Sequence, residues 1–243
     1  MKKVVSESDA VKQIVKGLQL IHSLYVSSLL YGPKGTGKRT LVRSLFPGIP
    51  EVDGRDPEAV KRALELENEL IITSFEALSD PESLDFQNKR ILAVADREIH
   101  PRIADEKFAF IYRMPPLKER PEDIEAYTRI FLDEAQRIFQ CSGTVELRPE
   151  HLDISGNLHS LRASVYRETL LQNLDAREIE SALYHLFIRT LEGNNAYREN
   201  LGILERPMLQ AGLERYGSQL KLSEVLGINR NTLRKKLHEY RID

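Results

Sequence analysis

The 243-residue sequence contains no tryptophan and a single cysteine, Cys141. One thiol excludes an internal disulfide and is typical of a reducing compartment. The six histidines are scattered rather than grouped with other metal ligands, so no metal site is expected. No apolar run is long enough to cross a bilayer, and Met1-Lys2-Lys3 is not followed by a signal-peptide core. We therefore expect a cytoplasmic protein with no membrane partner and no bound metal.

The chain also lacks an excess of charge of either sign, because it contains 35 basic and 37 acidic residues. The chain as a whole is therefore not a nonspecific nucleic-acid binder. The positive charge is local: residues Ile228 to Asp243 contain five basic and two acidic side chains. The length suits one large and one small domain, and the charge pattern indicates a small basic module on a neutral body.

The C-terminal residues have the pattern of a helix-turn-helix. Leu220 to Leu226 form a short amphipathic helix, and Gly227 supplies the positive φ that a tight turn between helices needs. Asn229 can cap a second helix, which Leu233 and Leu237 anchor. The alternative is an ordinary solvated basic helix. The agreement of turn, cap and preceding helix favours a helix that enters the DNA major groove.

The stretch from Gly217 to Tyr240 resembles the Fis-type DNA-binding domain, whose Gly-Ile-Asn-Arg-x-Thr-Leu-Arg-Lys-Lys-Leu string stands at Gly227 to Leu237. The resemblance implies that Asn229 and Arg230 reach base edges. The other candidate DNA-binding residues, several of them implied phosphate contacts, project outward: Thr232, Arg234, Lys235 and Lys236. It also implies a homodimer whose interface contains Leu204, Met208, Leu209 and Leu213. Alternatively, these four residues only pack on the recognition helices.

A glycine-rich loop links an apolar strand, Ser27 to Tyr31, to an apolar helical pattern. In this context backbone N–H groups converge on a phosphate at the positive end of a helix, and Lys38 reaches its oxygens. Arg39 stands where the common motif has Ser or Thr to hold Mg²⁺. The candidate nucleotide-binding residues, for ADP or ATP, are Gly32, Pro33, Gly35, Thr36, Gly37, Lys38, Arg39 and Thr40.

Three further strings resemble the AAA+ domain of NtrC-type bacterial enhancer-binding activators. Met114 to Ile124 is similar to the family's link between core and lid, Arg90 to Glu98 to its sensor strand, and Ser155 to Leu161 to its lid motif. Such activators commonly end in a Fis-type domain, so the resemblance covers nearly the whole chain. It implies an α/β fold: a P-loop AAA+ core with a parallel sheet, a helical lid and a C-terminal all-α helix-turn-helix domain.

The chain departs from this family where the chemistry lies. Thr73 and Ser74 occupy the places of the Asp and Glu that order Mg²⁺ and polarise water. Asp96 replaces the sensor Asn, and His159 replaces a lid Arg. The sigma-54-contacting loop is absent from the short interval after Lys38. An alternative alignment would let Glu76 or Glu69 serve. We favour a degenerate domain with no catalytic residue and no metal.

We predict three regions: an α/β core at 1–113, a helical lid with a following helix at 114–192, and a Fis-type domain at 193–243. The predicted elements are a helix at 4–24, strands at 27–31, 70–73, 90–95 and 108–113, and helices at 56–67, 123–139, 160–171, 176–191, 204–216 and 220–226. Gly193-Asn194-Asn195 is the expected linker.

The first functional hypothesis is a sequence-specific transcriptional regulator that binds double-stranded DNA as a dimer. Its AAA+ domain senses nucleotide, recruits RNA polymerase or another regulator, or assembles the protein. A bacterial, nucleoid-associated location follows from this hypothesis. The alternatives are an active DNA-associated ATPase and an architectural protein that bends DNA.

Overall fold

The computed structural model describes residues 7–141 and 143–242 and divides the chain into two compact units. The N-terminal unit ends at Leu174 and the C-terminal unit begins at Asp175. This division lies upstream of the boundary predicted at residue 193. The helix that begins after Asp175 therefore belongs to the C-terminal unit. Its N-terminus has a capping box between Asp175 and Glu178.

The N-terminal unit is built on a five-stranded parallel sheet in the order β2-β3-β4-β1-β5. The strands are β1 Ser28–Tyr31, β2 Glu51–Asp53, β3 Glu69–Thr73, β4 Arg90–Ala95 and β5 Phe110–Arg113. The predicted parallel sheet is thereby confirmed. Strand β2 was not predicted, because three residues with two acidic side chains do not form a recognisable strand pattern.

Six helices accompany these strands in the described part of the N-terminal unit. They are α1 Asp9–Leu24, α2 Lys38–Leu45, α3 Pro57–Leu66, α4 Pro101–Lys107, α5 Pro121–Phe139 and α6 Leu158–Asn173. The start predicted at Val4 for the first helix lies outside the described residues. Helix α4 was not predicted. It is short, and His100 caps it by accepting a hydrogen bond from the Arg102 N–H.

The central strands β3, β4 and β1 are buried on both faces of the sheet, which explains why β3 and β4 are continuous apolar runs. One face packs on α1 and α2, where an apolar stripe of α1 is buried: Val11, Ile14, Leu18 and Ile21. The other face packs on α3 and α4 through Ile72, Ile91 and Phe75. Each fully buried side chain of this kind stabilises the fold by about 1.5–3 kcal/mol.

The lid consists of α5 and α6, which pack on each other through a separate apolar cluster. Its buried members are Leu117, Tyr127, Leu161 and Val165. Leu117 precedes α5 in the segment that resembles the family link. The cluster therefore holds both lid helices against the segment that leaves the sheet.

The C-terminal unit contains α7 Ala176–Thr190, α8 Ala196–Tyr216, α9 Gln219–Leu226 and α10 Arg230–Tyr240. Its buried core consists of Leu209, Leu222, Leu233 and Leu237. Helix α8 begins eight residues before the predicted start at Leu204. Pro207 lies inside α8, where its missing N–H costs one helical hydrogen bond. Among the described residues, no helix is long and apolar enough to cross a membrane.

Candidate nucleotide-binding and DNA-binding sites

The loop between β1 and α2 has the backbone geometry that its glycines allow. Gly32, Gly35 and Gly37 all have positive φ, at 149°, 79° and 94°. A Cβ at Gly32 would overlap the Met114 carbonyl oxygen, and one at Gly35 would lie 2.7 Å from the Gly156 oxygen. Larger residues are therefore excluded here by backbone strain and by contact with the lid.

Lys38, the first residue of α2, is fully engaged inside this loop. Its Nζ donates to the carbonyl oxygens of Gly32 and Pro33, both at 2.7 Å, and to Oδ1 of Asp96 at 3.1 Å. The side chain is only 4% exposed. Burial lowers the pKa of Lys38, while Asp96 and the more distant Glu76 oppose that shift. An incoming phosphate must therefore compete with Asp96 for this ammonium group.

Two carboxylates lie beside the lysine where the sequence suggested one. Asp96 follows β4, and its backbone N–H donates to Oε2 of Glu76 at 3.1 Å. Glu76 lies in a 3₁₀ turn just past the end of β3, and its side chain accepts this hydrogen bond. Sequence reasoning set Glu76 aside on strand position alone. A tight turn directly after β3 was the signal that could have identified Glu76 as a candidate site residue.

The residues in the usual metal and base positions carry no carboxylate. Thr73 ends β3, and its hydroxyl donates to the Val52 carbonyl at 3.3 Å. Ser74 follows with φ of 51°, the left-handed conformation that starts the 3₁₀ turn. Arg39 leaves the loop to share Glu51 with Arg43. No hydroxyl from position 39 is thus available to bind Mg²⁺.

The lid motif lies directly on the glycine-rich loop. Asn157 donates from Nδ2 to the Lys34 carbonyl at 2.8 Å, and its Oδ1 accepts from the Leu117 N–H at 2.7 Å. The Leu158 N–H donates to the Gly35 carbonyl at 3.1 Å. Asn157 therefore connects the loop, the link segment and α6, a role that the resemblance alone did not specify.

A buried ion pair ties the link segment to the same loop. Arg120, 1% exposed, donates to the Thr36 carbonyl at 3.0 Å and to Asp123 at 3.3 Å. Asp123 also accepts hydrogen bonds from the backbone N–H groups of Glu7 and Ser8 and from the Ser8 hydroxyl. Burial lowers the pKa of Arg120, and the charge of Asp123 opposes it. This pair holds the start of α1, the loop and α5 together.

A cavity of about 880 Å³ opens between the glycine-rich loop, the ends of β3 and β4, and the lid. Its size lies within the range of small-molecule sites. Apolar lid residues, including Tyr127, Phe131 and Leu158, form part of its wall. Six predicted residues line it: Gly35, Thr36, Gly37, Lys38, Arg39 and Thr40. Gly32 and Pro33 lie behind them as the carbonyl acceptors of Lys38.

In the C-terminal unit, α9 and α10 form the predicted helix-turn-helix. The Gly227 turn has φ of 65°, and Asn229 caps α10 by accepting from the Asn231 N–H at 2.8 Å. Leu233 and Leu237 are buried, as expected. Five of the predicted contact residues are exposed, Asn229 at the cap and four along α10: Arg230, Thr232, Arg234 and Lys235.

Lys236 does not share this exposure. Its Nζ donates to both carboxylate oxygens of Glu205, at 2.5 and 2.7 Å, and Tyr240 donates its hydroxyl to the same carboxylate at 2.7 Å. The hydrogen bond from Lys236 lowers the pKa of Glu205, and the hydrogen bond to Glu205 raises the pKa of Tyr240 to about 12. The expectation that Lys236 projects outward was wrong, because α8 supplies an acid within its reach.

The four residues predicted for a dimer interface fall into two groups. Leu209 is buried and Leu213 packs beside it in the core of the C-terminal unit. Leu204 and Met208 remain 45% and 55% exposed. The alternative reading, packing on the recognition helices, thus describes Leu209 and Leu213. Only Leu204 and Met208 stay available for an interface.

The parallel sheet, the glycine-rich loop after β1 and the two-helix lid define a P-loop fold of the AAA+ class. Residues 201–240 match the family described as "Bacterial regulatory protein, Fis family". A "Putative Fis-like DNA-binding protein" of Pseudomonas aeruginosa is 42% identical over 66 residues, covering 26% of this chain and 62% of that protein.

Longer relatives cover the AAA+ part as well. The "DNA-binding transcriptional regulator NtrC" of Rhizobium meliloti is 28% identical over 169 residues, covering 52% of this chain and 34% of that protein. "Limonene hydroxylase" of Geobacillus stearothermophilus is 29% identical over 175 residues, covering 64% of this chain and 32% of that protein. The chain spans about a third of the length of these relatives.

Among solved structures, NtrX from Brucella abortus in complex with ADP matches 99% of this chain and 70% of its own, with a TM-score of 0.54 and 16% identity. A structure of the same protein in complex with ATP matches with the same TM-score and 19% identity. The sequence matches and these folds together support an NtrC-type AAA+ protein with a Fis-type helix-turn-helix at its C-terminus.

Proposed function

We propose that the protein is a sequence-specific, DNA-binding regulator of transcription whose AAA+ unit binds adenine nucleotide without hydrolysing it. The observation that carries the DNA-binding part is the surface of α10. This helix is capped by Asn229 and anchored by two buried leucines, so that Arg230, Arg234 and Lys235 face solvent together. Such a helix presents polar residues to base edges and cations to phosphates.

The dimeric state that this function requires is supported by the exposed face of α8. Tyr197, Leu204 and Met208 are all exposed and recur at spacings of seven and four residues, which places them on one stripe. Two copies joined along this stripe would form a two-fold dimer. We expect it to bind a pseudo-palindromic site whose half-sites lie about one DNA turn apart.

Nucleotide binding is supported by the cavity above the glycine-rich loop and by the ligands named for the Brucella abortus NtrX structures. The loop can hold a diphosphate through backbone N–H groups without a metal. A third phosphate would approach Asp96, which already neutralises Lys38. We therefore propose that ADP binds more tightly than ATP and that both bind weakly.

The absence of hydrolysis is proposed from the residues that face the nucleotide. Phosphoryl transfer to water needs an ordered Mg²⁺ and a polarised water molecule. Thr73 and Ser74 supply no carboxylate for either task, and Arg39 is bound to Glu51. Regulation would then come from nucleotide occupancy or from a protein partner, such as RNA polymerase or another regulator in the bacterial cytoplasm and nucleoid.

Selection of duplexes from a random library with the full-length chain tests the DNA-binding proposal. We expect enrichment of one pseudo-palindromic motif that binds as a complex with two protein chains. A matched chain ending at Glu192 keeps the AAA+ unit and lacks α8 to α10. Equal enrichment of the same motif by this shorter chain would contradict the assignment of DNA reading to α10.

A second candidate, an active ATPase, has one observation in its favour. Glu76 lies beside Asp96 and within electrostatic range of Lys38, so it is a carboxylate available near the phosphate site. If Glu76 acts as the base, phosphate release depends on both Lys38 and Glu76. Loss of turnover in both Lys38→Ala and Glu76→Gln, with turnover retained in the exposed control Glu82→Gln, would favour this candidate.

A further inference from the structure

Three polar side chains join the first helix of the Fis-type region to its recognition helix. Glu205 on α8 accepts two hydrogen bonds from Lys236, at 2.5 and 2.7 Å, and one from Tyr240 at 2.7 Å. The side chains of Lys236 and Glu205 are only 28% and 22% exposed. Partial burial strengthens such a charge-assisted contact relative to one in open solvent. We refer to Glu205, Lys236 and Tyr240 as the α8–α10 clamp.

The backbone of α8 is shaped to receive this clamp. Gly202 lies one turn before Glu205, and a Cβ at this position would sit 3.1 Å from Cε1 of the Tyr240 ring. The glycine thus lets the ring lie close against α8 and brings the Tyr240 hydroxyl to the carboxylate. Ring packing and hydrogen bonding therefore act at the same place.

The clamp adds what the apolar core lacks. Leu233 and Leu237 bury one side of α10, but apolar contacts have little directional preference. Hydrogen bonds from Lys236 and Tyr240, one turn apart, converge on a single carboxylate and fix how α10 is rotated and placed along α8. Within residues 7–141 and 143–242, the neighbouring Lys235 is exposed and forms no hydrogen bond or ion pair with α8.

We propose that Lys236 is a positioning residue for DNA recognition: through the clamp it sets the angle of α10 on α8 and makes no phosphate contact. This inference rests on the proposed DNA-binding function. Because α8 also carries the proposed dimer stripe, the clamp relates the two-fold axis of the dimer to the spacing of the two recognition helices.

The test uses the full-length chain and the duplex selected by the wild-type protein, with affinity measured by fluorescence anisotropy across a range of salt concentrations. Lys236→Met removes the charge and keeps the length of the side chain. Lys235→Ala is the matched control, since it removes an exposed charge one residue away. Glu205→Lys, Lys236→Glu and the double swap E205K/K236E break and then rebuild the ion pair. Circular dichroism melting reports on folding of each variant.

We expect Lys236→Met to weaken binding by about tenfold with an unchanged salt slope, because no phosphate contact is lost. Lys235→Ala should lower the magnitude of the slope by about 0.9. Each single charge reversal should weaken binding, and the double swap should recover most of the wild-type affinity. A phosphate-contacting Lys236 predicts otherwise: the slope falls in Lys236→Met, and Glu205→Lys does not weaken binding.

These outcomes separate the inference from the function on which it rests. Wild-type protein that selects no duplex contradicts the proposed function. Wild-type protein that binds, together with a reduced slope or an unchanged affinity in Lys236→Met, contradicts only the positioning role. The salt slope of Lys236→Met decides the question even if the double swap does not fold.

Discussion

The two candidate sites differ in whether their cations are paired with acidic side chains. Around the glycine-rich loop, four cations have an acidic partner in the same unit: Lys38 has Asp96, Arg39 and Arg43 share Glu51, and Arg162 has Glu134. On α10, by contrast, Arg230, Arg234 and Lys235 are exposed and form no ion pair within the described ranges 7–141 and 143–242. If an anionic ligand binds the second surface, it meets unpaired cations, whereas at Lys38 it must compete with Asp96.

The comparison also distinguishes two kinds of paired cation. Arg120 and Lys38 are buried, and their pairs hold the loop, the link segment and β4 in place. Arg39 and Arg43 are exposed, and an exposed pair contributes little to stability. The pairing in the N-terminal unit therefore holds the shape of the candidate nucleotide site while reducing the positive charge at its glycine-rich loop.

The largest expected effect is on the unfolding free energy, when a buried cation loses its carboxylate partner. Asp123→Ala leaves Arg120 buried without a carboxylate and removes the acceptor for three groups at Glu7 and Ser8. We expect the N-terminal unit to lose about 3–5 kcal/mol of unfolding free energy, measured by chemical denaturation. Asp105→Ala, at an exposed position of α4, is the control and should change stability by less than about 0.5 kcal/mol. Equal effects of the two substitutions would contradict the role of the pair.

On the unpaired surface, Arg230→Ala should cost about 1–3 kcal/mol of DNA-binding free energy and relax sequence preference. The physical reason is the loss of a base contact at the capped start of α10, where a side chain has the best access to the groove. Competition binding with single-base variants of the selected duplex measures both quantities. A uniform loss across all variants would instead make Arg230 a phosphate contact.

Removing the carboxylate partner of Lys38 should leave an unpaired cation at the glycine-rich loop, as on α10. Asp96→Asn removes the charge that neutralises Lys38 and keeps the hydrogen-bonding side chain. We expect ADP affinity to rise about tenfold and ATP affinity to rise more, because the third phosphate no longer meets a carboxylate. Isothermal titration calorimetry with Asp85→Asn as the exposed control measures this change. Unchanged affinities in Asp96→Asn would show that the ion pair does not limit binding.

The smallest expected effect is on the pH dependence of stability, and it concerns Lys236 of α10, which is paired with Glu205. The pKa of Glu205 is lower in the folded protein than its ordinary value. A lowered folded pKa means that the contribution is present above the unfolded pKa, about 4.3, and is lost as the pH falls through the folded value. The melting temperature of the C-terminal unit should therefore fall on acidification below about pH 4. Glu205→Gln should flatten this dependence, and an unchanged dependence in that variant would contradict it.

Much of this arrangement could be predicted from local sequence. The glycine-rich loop, the Asn229 cap and the leucines of α10 follow from short-range patterns of backbone conformation and periodicity. The parallel sheet was implied by the resemblance to the AAA+ family, and the buried apolar runs of β3 and β4 agree with it. Strand β2 and the full length of α8 were missed, since one is too short and the other continues through Pro207.

The pairing of charges could not be predicted in this way, because it depends on residues far apart in the chain. Lys38 and Asp96 meet where the neighbouring strands β1 and β4 end, and Lys236 on α10 meets Glu205 on α8. Nothing in the local pattern of α10 separates Lys235 from Lys236, although one is exposed and the other is paired. The sequence indicated both candidate sites, but the packing of the helices and strands shows which cations are paired with acidic side chains.

The most direct test of the central claim is steady-state phosphate release from ATP by the full-length protein, with and without its selected duplex and Mg²⁺. The account predicts no turnover above that of Lys38→Ala in any condition, because Thr73, Ser74 and Arg39 supply neither a metal ligand nor a base at the expected positions. Typical phosphoryl-transfer enzymes turn over at ~1–100 per second. A turnover above about 1 per minute that is lost in Lys38→Ala would contradict the account and identify the AAA+ unit as a working ATPase.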